Sequence, residues 1–127
     1  MSVTTRVYYN KLVRDNIPAI IKAKREDCGV RSITDMQEFQ QELFKKIKEE
    51  ATSLAMSRTK AEFLEEYADL LVVLDTITKE LDISAEAVQM AKEENLLRKG
   101  GYKHQHFLQW SGDLSYQSNE TPQGIPA

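Results

Sequence analysis

The sequence predicts an all-α fold: an antiparallel helical bundle of about four helices per chain, completed by dimerisation. Three observations carry that prediction. Thr34 and Thr59 stand three residues before Gln37 and Glu62 and open runs of helical periodicity, which is the spacing of a capping box. Ser84 precedes another such run that closes on Arg98, Lys99, Gly100 and Gly101, cations and then glycine, as suits the negative end of a helix dipole. Residues Leu70 to Leu74 read LLVVL inside a helical stretch. At about 100° per residue they cannot all face one way, so this turn needs cover on most sides, in a bundle centre or at a subunit interface.

Taken in order, the first helix is short. Asp15 is its expected N-cap, Pro18 is tolerated in the first turn, the run Ala19 to Asp27 forms the body, and Gly29 lies just beyond it. The second opens at Thr34 and the third at Thr59; the fourth runs from Ser84 to Lys99. One domain is expected over 1–108. After Trp110 the chain is polar and punctuated by Gly and Pro, so 109–127 is expected to be a tail, mobile or docked on a partner.

Composition narrows the class. The chain has 127 residues, 41% hydrophobic and 29% charged, and three prolines with five glycines are too few for a loop-dominated or collagenous protein. No window reaches the 18 or so apolar residues of a membrane span, and Met1 to Asn10 has no apolar signal region, so no membrane partner is expected. A single Cys28 makes neither an internal disulfide nor a thiolate zinc site and fits a reducing cytoplasm. Charge is unevenly spread. Six basic residues face one acid between Arg6 and Arg25, whereas twelve acids face four bases between Glu49 and Glu94. With a net charge of −3 and no basic run interleaved with aromatics, nucleic acid is not the expected partner. A polyphosphate ligand bridged to acids by a divalent cation uses both signs.

The acids have a pattern of their own. Leu43, Ile47 and Leu54 mark a seam on the second helix, and its missing step falls on Glu50. A carboxylate in a core slot needs a cation, hydrogen bonds or a raised pKa. On the third helix the expected seam is Phe63, Tyr67, Leu70, Leu74 and Ile77, with Glu66 about 60° and Asp69 about 120° to one side. Packed side by side, the two helices bring Glu50, Glu66 and Asp69 toward one point. Oxygen donors without thiolate or imidazole favour a hard cation: Mg²⁺, with Mn²⁺ as its substitute. Glu49, about 100° from Glu50, is expected behind these ligands or as a base for water, while on the other reading Glu49, Glu62 and Glu65 are solvated helix faces. Lys11, Arg14, Lys46 and Lys99 are each an ordinary surface charge taken singly; as a group they suit phosphate beside a metal.

Four blocks in the chain, YNKLVRDNIPAII at Tyr9 to Ile21, KIKEEATSL at Lys46 to Leu54, EEYADLLVVL at Glu65 to Leu74 and LLRKGGYKHQHFL at Leu96 to Leu108, resemble the MazG-like, phosphoribosyl-ATP pyrophosphohydrolase-like branch of the all-α nucleoside triphosphate pyrophosphohydrolases. The resemblance covers about residues 8 to 108. It implies a helical bundle that is a homodimer or dimer of dimers and a Mg²⁺-dependent hydrolase that cleaves nucleotides between the α and β phosphates to release pyrophosphate. The family motif KxxEExxE followed by ExxD places its lysine on Lys46, its first two glutamates on Glu49 and Glu50, and its last pair on Glu66 and Asp69. Two positions depart from it. Ser53 stands where the motif has a third glutamate, and Val72 where this branch has an acid three residues after the ExxD aspartate. Three carboxylates in place of four leave a second expectation open, a nucleotide-binding or regulatory module on the same fold. A third is a helical dimer whose acids are only surface charge.

Overall fold

The computed structural model describes residues 5–113 and 115. Among them are four helices and no strand: α1 (Ile17–Ala23), α2 (Met36–Ala55), α3 (Lys60–Glu80) and α4 (Ala85–Lys99). The chain divides into two compact units, Met1–Ala85 and Glu86–Ala127. None of these helices is long and apolar enough to cross a membrane. Of the expected tail, 109–113 carry no helix, while 114 and 116–127 lie outside the described residues.

The helix ends differ in detail from the sequence expectation, and each difference has a local cause. Asn16, not Asp15, occupies the N-cap of α1, and it does so without a side-chain hydrogen bond. The helix stops at Ala23 rather than Asp27 because Arg25 turns left-handed at φ 61°. Its amide donates to the Lys22 carbonyl at 2.9 Å and the Glu26 amide to the Ile21 carbonyl at 3.3 Å, the paired bonds of a Schellman motif. Asp82 ends α3 in the same manner at φ 55°, with its amide on Lys79 and that of Ile83 on Thr78. α2 starts one residue later than expected, since Asp35 and not Thr34 accepts the Gln37 amide at 3.0 Å. Arg31 grips Glu38 through two hydrogen bonds of 2.6 and 3.1 Å and fastens the entry. Thr59 does cap α3, accepting the Glu62 amide at 3.1 Å. The Glu62 carboxylate answers one residue earlier than a strict box, accepting from the Arg58 amide at 2.8 Å. α4 begins directly after Ser84 and ends at Lys99, followed by Gly100 at φ 76°.

Residues 56–59 fold α2 back on α3 as an antiparallel hairpin, so the first half of α2 meets the last half of α3. Leu43, Val73 and Ile77 are the buried apolar side chains there, flanked by Leu12, Phe39 and Ile47. The seam expected on α3 is thereby corrected. Phe63, Tyr67 and Leu74 remain 47%, 46% and 39% exposed, while the inward stripe runs through Glu66, the adjacent pair Asp69 and Leu70, Val73 and Ile77, with three- and four-residue steps from turn to turn. Five consecutive apolar residues define no face on their own, and one neighbouring helix can cover only one. The carboxylates therefore lie on the packed stripe rather than to one side of it.

Candidate functional site

Beyond Leu43 toward the hairpin turn, the stripe of α2 continues through Lys46, Ile47, Glu50 and Ser53. On α3 the matching stripe, followed toward the same turn from Val73, reaches Asp69 and then Glu66. Leucine and valine close the far end of the hairpin; acids face each other at the near end. Glu50, Glu66 and Asp69 are each partly buried, and one carboxylate oxygen from each lies within 4.8 Å of the others. Partial burial first, and then the charges of Asp69 and Glu50, hold the Glu66 carboxyl above its ordinary pKa.

Four of the predicted residues supply or arrange counter-charge. Lys46 Nζ lies 3.0 Å from Glu49 Oε2 and 3.3 Å from Glu50 Oε1. Its side chain is 13% exposed and that of Glu50 is 14%, so this pair is shielded from water more than a surface ion pair. Lys11, from the segment before α1, donates to Glu49 Oε1 at 2.8 Å and sits 5.7 Å from the centre of the Tyr9 ring. Arg14 Nη1 lies 3.5 Å from Asp69 Oδ1. Glu49 thus stands outside the triad and links two ammonium groups, and the bond from Lys11, with that from Lys46, holds its carboxyl below the ordinary range. Lys99 is the exposed last residue of α4, in the second unit.

Ser53 lines a groove of about 260 Å³ together with Met56, Ser57, Glu62 and Glu66. The position where the family motif carries a glutamate therefore opens beside Glu66. A larger groove of about 550 Å³ continues around the hairpin turn, with Ala51, Leu54, Ala55 and Phe63 as its apolar lining and Arg58 and Lys60 among its polar residues. Ser57 borders both grooves, and its Oγ is buried without a hydrogen-bond partner among the described residues. Glu62 and Ser57 were not legible as site residues: Glu62 reads as half of a helix cap and Ser57 as a turn residue. The pairing of Arg14 with Asp69 spans 55 positions and carries no local signal.

The donor set fits a hard divalent ion. It offers carboxylate oxygens from two facing helices, without a thiolate or imidazole in the cluster, and their mutual repulsion is relieved by positive charge. No family model, curated protein or solved structure matches the chain.

Proposed function

We propose that the protein is a Mg²⁺-dependent nucleotide pyrophosphohydrolase: water cleaves the anhydride between the α and β phosphates of a nucleoside triphosphate or related nucleotide, releasing pyrophosphate. The observation that carries this reading is the convergence of Glu50, Glu66 and Asp69 within 4.8 Å. Those three residues also occupy three of the five acidic positions of the motif that the sequence resembles, and cations line the same patch.

The triad would hold the ion, which when bound supplies a Lewis acid that draws charge from phosphoryl oxygens. Around it, Lys46, Lys11 and Arg14 offer donors to phosphate oxygens and offset the charge that develops as the anhydride breaks. Glu49, held below the ordinary carboxylate range by two lysines, is a poor proton acceptor at neutral pH. Its part is to fix Lys11 and Lys46 and to orient water through a hydrogen bond. Exposed Leu71, Val72 and Leu74 support the remaining element of the reading, a second copy of the chain covering this face as a homodimer or a dimer of dimers.

A second reading rests on Ser53. Because a hydroxyl lines the groove at Glu66 where the motif has an acid, the same fold also suits a module that binds nucleotide and turns it over slowly or not at all. Pyrophosphate release from a panel of nucleoside triphosphates with Mg²⁺ separates the two. Turnover by the wild type that is lost in both Glu66→Ala and Asp69→Ala supports the hydrolase. Nucleotide binding without turnover, with activity gained in Ser53→Glu, supports the module.

A further inference from the structure

The site is not simply open to an incoming cation, because the chain's own cations are already on its acids. Arg14 is on Asp69 and Lys46 is on Glu50, leaving Glu66 as the member of the triad without an ion pair among the described residues. The segment that brings Arg14 is anchored separately. Leu12 packs against the cluster of Leu43, Val73 and Ile77, and the Arg14 carbonyl accepts from the Ile17 amide at 3.0 Å, tying this backbone to the start of α1. Between those two anchors the Arg14 side chain, 54% exposed, can swing its guanidinium without moving the main chain.

We propose that Arg14 is a built-in competitor for the divalent ion, an autoinhibitory counter-ion that Asp69 must release before the triad can load. Resting on the metal reading above, the inference adds an order of events at that site. In the metal-free protein the Arg14 guanidinium neutralises Asp69. Loading frees it within one side-chain length of the cluster, where phosphate is its remaining anionic partner. Charge on Asp69 is thus compensated before and after loading, and phosphate recognition by Arg14 is coupled to metal occupancy by linkage.

The test is Mg²⁺ binding without nucleotide, followed by calorimetry on wild type, Arg14→Gln, Arg14→Lys and Lys79→Gln. An exposed pair of this kind is worth a few-fold in affinity, so Arg14→Gln is expected to bind Mg²⁺ about two to five times more tightly than wild type. Arg14→Lys is expected to stay near wild type. Lys79→Gln, ten residues and about 15 Å along α3 from Asp69, removes an equal charge beyond the screening length at physiological salt and is expected to change nothing. A second readout follows the Arg14 Nε–H resonance of the wild type, which should shift with the same midpoint as ion binding. If Mg²⁺ binds but Arg14→Gln binds no more tightly and the Arg14 resonance stays still, the competition is overturned while the metal reading stands. If neither wild type nor Arg14→Gln binds Mg²⁺, both are overturned, and binding by Arg14→Gln alone is the strongest support for the competitor.

Discussion

Glu66 bears the cost of partial burial and, after it, of the neighbouring Asp69 and Glu50 charges. Its carboxyl titrates above its ordinary value in the fold and at that value in the unfolded chain, so over the interval between the two the native state binds the extra proton. Stability therefore falls as pH rises from the ordinary glutamate range through the raised value, and the penalty is complete above it. Glu49 has the opposite sign. Its pKa is lowered first by the bond from Lys11, so that contact contributes above the ordinary range and is lost as pH falls through the lowered value. Glu66→Gln is accordingly expected to melt at a higher temperature than wild type at neutral pH without divalent ions, with the difference closing in acid, as followed by circular dichroism. Added Mg²⁺ should raise the melting temperature of the wild type and leave that of the variant in place. A variant less stable than wild type at neutral pH would show that the repulsion is already compensated. At this scale the sequence was informative about identity: Glu50 in an apolar slot and the Glu66–Asp69 spacing were both legible. The partners were not, because Lys11 and Arg14 reach their acids across 38 and 55 positions.

The helices owe their lengths to their ends. Thr59 was legible as a cap because its oxygen needs only the amide three residues on, a relation written entirely in local sequence. Thr59→Ala is expected to lower stability by about 1 kcal/mol in urea titration. The stops of α1 and α3 were harder to read, since both rest on a non-glycine residue in the left-handed region, Arg25 and Asp82. Such a conformation costs an ordinary L-residue roughly 1 kcal/mol, and glycine adopts it freely. Arg25→Gly should therefore stabilise the protein by about that much. A loss of stability in the same titration would mean that the Arg25 side chain contributes more than its backbone costs.

For the first unit, Met1–Ala85, the apolar core is the small cluster of Leu43, Val73 and Ile77 between α2 and α3, with Leu12 joining from the N-terminal segment. With so few buried side chains, each carries a large share of the hairpin's stability, and Leu43→Ala is expected to cost about 2–5 kcal/mol in denaturant unfolding. Because Leu12 shares that core, the same change should loosen the segment that places Lys11 and Arg14, seen as faster amide exchange in 9–16. Outside the cluster, Leu71, Val72, Leu74 and Phe63 leave an apolar surface on α3. A second copy seated there is expected to appear in sedimentation velocity as a dimer that Leu71→Glu converts to monomer. A monomeric wild type at micromolar concentration would remove self-association from the proposal without touching the acidic site.

The sequence by itself determined the all-α class, the four helices to within a few residues, and which acids belong together. Those properties follow from caps and from three- and four-residue spacings, which act over a single turn. Tertiary structure alone decided which face of α3 turns inward. LLVVL offers apolar side chains in every direction, and the facing stripe of α2 selects Val73 and Ile77 over Tyr67 and Leu74. That choice of rotation carries Glu66 and Asp69 onto the packed stripe opposite Glu50. It also decides where positive charge has to come from, because acids drawn together in partial burial repel one another, and the long-range approach of Arg14 sets a cation on Asp69 while that of Lys11 sets one on neighbouring Glu49.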